Sequence, residues 1–194
     1  MIIFDLDGTL ANCEHRRHFV DPEKNPDYEY SNFGRDPITR EMVCDYVARW
    51  HRKDNWDIKF KPDWESFYGA CDKDEPILPV IKILNQLAKG HEIQIWSGRC
   101  ESVREKTSKW IEFNCFPFSV HSTVLKMRPI DDKTPLSDLK KGWLMEYCEE
   151  KTRQEGITGK KAIDFVFESD SKSIEMWNNL GIFVFNCCQH NEEF

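Results

Sequence analysis

The chain has 194 residues, 40% hydrophobic and 31% charged, with a formal net charge of -7. That length supports a single domain, or one core plus an insertion, without disulfide staples. The acidic excess argues against extensive binding to duplex nucleic acid, which needs a basic face. No apolar run approaches the roughly 18 residues of a membrane span, and no basic leader precedes Asp5, so a soluble, cytoplasmic protein without a membrane partner is expected.

Met1 to Phe4 is a short apolar run that breaks at Asp5-Leu-Asp7-Gly8-Thr9, the pattern of a buried strand entering a tight turn. Residues 12–36 are polar, proline-bearing and aromatic, and predict an irregular flap. Met42, Val43, Tyr46, Val47 and Trp50 are spaced as on one helix face within Ile38 to His51. Asp54 to Asp74 is loop-like but crowded with aromatic residues. A second helix is expected from Pro76 to a stop at Gly90.

His91 to Trp96 alternates as a strand and then predicts a loop at Ser97-Gly98-Arg99. Glu101 to Phe113 is helical with an acidic first turn, and Phe118 to Leu125 is a β-branched strand. A helix over Ser137 to Glu150, a strand over Ile163 to Phe167, a helix over Ser171 to Leu180 and a strand over Ile182 to Phe185 complete the series. Alternating strands and helices predict an α/β fold with an open parallel sheet wrapped by helices. The eight cysteines show no Cys-x-x-Cys pair, and Cys13, His15 and His18 lack a fourth ligand nearby, so reduced thiols are expected rather than a zinc site.

In such sheets, reactive loops gather beyond the carboxyl ends of the strands. Three predicted strands end in polar clusters: Asp5-x-Asp7, Ser97-Gly98-Arg99 and Glu168-Ser169-Asp170. Two carboxylates one residue apart lie on the same side of an extended chain. Such a pair divides labour, one oxygen attacking phosphorus while the other carboxyl handles a proton.

These residues resemble the motifs of the haloacid dehalogenase superfamily of aspartyl phosphatases. Asp5-Leu-Asp7-Gly8-Thr9 is similar to its first motif, and Ser97 in Ile95-Trp96-Ser97-Gly98-Arg99 to its second. Lys140 suits the third-motif lysine, with Lys141 and Lys126 as alternatives, and Glu168 and Asp170 suit the acidic fourth motif. Relatives usually carry adjacent acids there, whereas Ser169 stands second in this chain. A finer resemblance is to the phosphatase domain of phage-type polynucleotide kinase-phosphatases, through Leu10-Ala11-Asn12-Cys13-Glu14-His15-Arg16-Arg17, Trp64-Glu65-Ser66-Phe67, Asp74-Glu75-Pro76-Ile77 and Glu175-Met176-Trp177. These 194 residues contain no Gly-x-x-x-x-Gly-Lys-Ser/Thr loop of a kinase.

The resemblance implies a Rossmann-like core over residues 1–20 and 76–194, with a cap insertion over 21–75. It implies Asp5 as nucleophile, Asp7 as general acid and base, and Ser97 and Lys140 as ligands of the phosphoryl oxygens. Mg²⁺ would be held by Asp5, the Asp7 carbonyl, and Glu168 or Asp170. Thr9 would brace the phosphate cradle, and Arg16, Arg17, Arg99 and Arg128 are candidate substrate contacts. The implied activity is a phosphomonoesterase acting on nucleotide or nucleic-acid 3′-phosphate ends. The alternatives are a 5′-nucleotidase acting on free (deoxy)nucleoside monophosphates and a catalytically degenerate binding protein.

Overall fold

The computed structural model describes residues 1–21, 24–25, 61–115, 124–155 and 163–188. The chain divides into two compact units, Met1–Cys13 with Cys71–Phe194, and Glu14–Ala70. The helix expected over Ile38 to His51 lies outside the described residues.

The larger unit is built on five parallel strands: β1 (Ile2–Phe4), β4 (Ile93–Cys100), β5 (Val124–Arg128), β6 (Phe165–Glu168) and β7 (Val184–Asn186). Their order is β5-β4-β1-β6-β7, and the fully buried strand β1 sits in the middle. Two further short strands, β2 (Ala11–Asn12) and β3 (Glu75–Pro76), pair antiparallel. Pro76 therefore belongs to a strand, and the helix expected to begin there, α2 (Leu78–Leu87), starts two residues later with a proline in its first turn.

Side chains alternate across the sheet and meet two separate hydrophobic layers. On one face Ile2 and Phe4 pack with Ile95, Leu125 and Phe167 under Ile81 and Leu84 of α2 and Trp110 and Ile111 of α3 (Arg104–Asn114). On the other face Ile3, Trp96 and Val166 meet Leu139, Trp143 and Tyr147 of α4 (Leu136–Glu155) and Trp177 of α5 (Ser171–Asn179). This is the expected parallel sheet flanked by helices. Among the described residues, no helix is long and apolar enough to cross a membrane.

Two strand assignments need correction. The strand expected to stop at Trp96 runs on to Cys100, with a register irregularity between Ser97 and Cys100, so Ser97-Gly98-Arg99 lies within a bulged strand and not in a loop. The next strand extends to Arg128, and residues 118–123 of the expected strand lie outside the described residues. Charge hid its continuation: the Lys126 ammonium lies over the Trp96 ring, 5.3 Å from its centroid, and 3.5 Å from Glu146.

In the smaller unit, Glu14–Phe19 forms a 3₁₀ helix, and α1 (Trp64–Gly69) occupies part of the stretch read as loop. Its N-terminus is capped by Asp63, whose carboxylate accepts from the Ser66 amide at 3.0 Å. One turn and a half is too short to show helical periodicity in sequence. Arg16 lies within this unit, 4.1 Å above the Phe67 ring.

Candidate active site

The register of the central strands brings two acids together. Phe4 stands opposite Phe167, so the residues that follow, Asp5 and Glu168, leave neighbouring strands side by side. The Asp5 amide continues the ladder by donating to the Phe167 carbonyl at 2.9 Å. From the sheet face below, Lys140 of α4 reaches both, with Nζ 2.8 Å from Asp5 Oδ1 and 2.6 Å from Glu168 Oε2. All three residues are at most 3% exposed. Lys141 is exposed, and Lys126 is engaged with Trp143 and Glu146, so Lys140 is the lysine at this strand edge.

Two buried carboxylates against one ammonium leave the group with surplus negative charge. Burial, with Glu168 next in effect, pushes the Asp5 carboxyl up to about 7, against the pull of Lys140. Burial works against the Lys140 ammonium, yet the two acids hold its pKa above the ordinary lysine value. The second Asp5 oxygen, Oδ2, accepts from Thr9 Oγ1 at 3.3 Å.

After Asp5 the chain turns sharply. The amides of Thr9, Leu10 and Ala11 all point at the Leu6 carbonyl, and Gly8 takes φ +83°. A Cβ at position 8 would stand 2.6 Å from Ser169 Oγ, so the turn needs glycine for conformation and for space. The same Ser169 hydroxyl donates to the Asp7 main-chain carbonyl at 3.0 Å. The Asp7 side chain is partly exposed and accepts from Arg99 Nε at 2.9 Å and Nη2 at 2.6 Å.

Arg99 is completely buried and also pairs with Asp74 at 2.5 Å. It thus orients the Asp7 carboxylate, a contact different from the substrate role expected of it. Asp74 was not singled out as a site residue; the only sequence signal was its place in Asp74-Glu75-Pro76-Ile77, and its burial carries the rest. Ser97 is buried on β4, its hydroxyl accepting from the Arg99 amide at 3.1 Å. Arg128 donates to the carbonyls of Gly98 on β4 and Thr134 in the loop after β5, and so ties the three together. Arg16 and Arg17 belong to the smaller unit; Arg16 donates to the Phe67 carbonyl, and Arg17 lies 3.8 Å from Glu14.

At the fourth cluster, Glu168 Oε1 accepts from the amides of Ser169 and Asp170. Asp170 caps α5, its Oδ2 accepting from the Ser173 amide at 2.8 Å and the Ser173 hydroxyl at 2.7 Å. Among the described residues no three His, Cys, Asp or Glu side chains converge as a metal cluster.

No family model matches the sequence, and no curated protein matches it. Solved structures do. The chain is similar to part of the Pnkp1/Rnl/Hen1 complex, described also as an RNA repair complex, at 22% and 21% identity with TM-scores of 0.54 and 0.53. The match covers 96% and 95% of this chain but 45% and 41% of those chains, so this chain spans less than half their length. It is also similar to a haloacid dehalogenase-like hydrolase from Streptococcus pneumoniae, at 14% identity and TM-score 0.50, covering 95% of this chain and 82% of that one. A putative phosphoglycolate phosphatase from Lactobacillus plantarum matches at 11% identity and TM-score 0.51, over 94% of this chain and 83% of that one. The fold of this chain is therefore haloacid dehalogenase-like.

Proposed function

We propose that the chain is a phosphomonoesterase working through an aspartyl phosphate (an acyl phosphate) on Asp5, most specifically on nucleotide or nucleic-acid 3′-phosphate ends. The observation that carries this reading is the buried Asp5–Lys140–Glu168 group at the end of the central strands, with Asp7 held beside it by Arg99. Asp5 Oδ2 attacks phosphorus as the ester oxygen leaves, and Asp7 protonates that oxygen. Asp7, now a carboxylate, takes a proton from the water that attacks phosphorus and releases Asp5. The Lys140 ammonium meets the charge of the transferred phosphoryl group from the buried side, and Ser97 and Thr9 lie on the flanking chain.

A hard divalent cation fits the donor set, because the ionised acid pair carries one more negative charge than Lys140 neutralises and the Asp7 carbonyl lies by Ser169, the residue after Glu168. Mg²⁺ would be held by the Asp5 carboxylate and that carbonyl, with water completing the shell. When bound it supplies charge neutralisation between the nucleophile and the phosphate.

The nucleic-acid assignment is supported by similarity to the RNA repair complex and by the motif resemblance beyond the catalytic residues. The test is phosphate release from a 3′-phosphorylated oligonucleotide against a panel of nucleoside monophosphates, with and without chelator. Release from the oligonucleotide, abolished in Asp5→Asn, is the expected result. Turnover restricted to 5′-mononucleotides would make the chain a nucleotidase. No turnover of any phosphate ester with excess Mg²⁺ would leave only the binding-protein alternative.

A further inference from the structure

The acids of the fourth cluster are committed elsewhere. An ionised carboxylate has about four acceptor sites, and those of Glu168 face the Ser169 and Asp170 amides on Oε1 and Lys140 and Trp177 on Oε2. Glu168 is wholly buried beside Asp5. Asp170 has turned its carboxylate to the N-terminus of α5, where two groups of Ser173 share one oxygen. The oxygen that stands next to the Asp7 carbonyl is a different one, Ser169 Oγ at 3.0 Å. Adjacent ligand oxygens in an octahedral shell with bonds of about 2.0–2.1 Å are about 2.9–3.0 Å apart, so this pair is already spaced as one edge of such a shell.

We propose that Ser169, rather than Glu168 or Asp170, supplies the further protein oxygen of the cation site, and that Glu168 is a positioning residue for Lys140. The proposal rests on the reading of Asp5 and the Asp7 carbonyl as cation ligands. Ser169 is only half-buried, unlike Glu168 beside it in the chain. The cradle is closed on its other side by Gly8, where any side chain would collide with that hydroxyl. A Ser or Thr hydroxyl is an established Mg²⁺ ligand where a loop meets phosphate. The consequence is a site with one neutral oxygen in place of a carboxylate, and therefore a weaker hold on a divalent cation than an acid at position 169 would give.

Calorimetric titration of the full chain with MgCl₂ and with MnCl₂ tests this without reference to turnover. Ser169→Asp is expected to tighten binding about 10-fold or more, and Ser169→Ala to weaken it by a similar factor, in line with the about 10–100-fold effects of altering groups around a metal. Asp170→Asn, which keeps the helix cap, is expected to leave affinity within about 3-fold. Circular dichroism of each variant establishes folding, and Ser169→Asp guards against a merely unstable Ser169→Ala. If Asp170→Asn weakens binding while both Ser169 variants match the parent, Asp170 is the ligand and the proposal is wrong. If the parent binds neither ion, or binds as well after Asp5→Asn, the cation reading itself fails. Binding that depends on Asp5 but not on Ser169 overturns only the present inference.

Discussion

Asp5 is held where a carboxylate is least comfortable, buried and next to Glu168, and its pKa of about 7 against an ordinary 3.8 expresses that conflict. The stability consequence has a definite sign. Below pH 3.8 the side chain is protonated in both the folded and unfolded chain and costs nothing. Between 3.8 and about 7 the unfolded chain has released the proton and the folded one has not. Stability then falls by about 1.4 kcal/mol per pH unit, and the loss is complete above the folded pKa. Asp5→Asn removes the titration, so in chelator its Tm advantage over the parent should grow from pH 4 to pH 7 and then level off. An advantage independent of pH would contradict this. Lys140 is the counterweight. Lys140→Met leaves two facing buried acids and should cost about 3–5 kcal/mol in urea unfolding. Adding Glu168→Gln should restore a large part of that cost, and simple additivity of the two changes would argue against the pairing.

The turn after β1 and the cap of α5 are each built to hold an oxygen in place. Gly8 combines a left-handed backbone with close approach to Ser169, so Gly8→Ala meets two separate penalties. A left-handed alanine costs about 1–2 kcal/mol, and the 2.6 Å contact with the Ser169 hydroxyl adds to it. In a Gly8→Ala, Ser169→Ala double variant the steric part should be relieved while the backbone part persists, leaving a net loss of about 1–2 kcal/mol relative to Ser169→Ala alone. Full recovery would mean that the conformation carries no strain, and no recovery would mean that the hydroxyl is not in the way. Ser97-Gly98 is a dipeptide that marks turns, so sequence alone predicts a loop at Ser97-Gly98-Arg99. Instead Ser97 and Cys100 on either side of the bulge stay paired with β5 while Arg99 within it reaches Asp7 and Asp74.

Across the larger unit, two apolar layers on opposite faces of one sheet carry the fold, one under α2 and α3 and the other under α4 and α5. Ile81 lies in the first and Ile163 in the second, so they share no layer. Ile81→Val and Ile163→Val should each cost about 0.5–1.5 kcal/mol, and the double variant should match their sum within about 0.5 kcal/mol. Strong coupling in chemical denaturation would show that the sheet transmits packing strain between its faces. Alternation of strand and helix, and the acids at the strand ends, were legible from residue order alone, because hydrophobic period and turn chemistry are local properties. Which lysine reaches Asp5 was open among Lys126, Lys140 and Lys141, because it depends on which helix face turns to the sheet. That Arg99 grips Asp7 and Asp74 likewise follows from distances between residues far apart in the chain, whereas the Asp170 cap is a local contact with Ser173, three residues on. Local chemistry is written along the polymer; the partners that occupy each charge are decided only when strand register and helix packing bring them within bonding range.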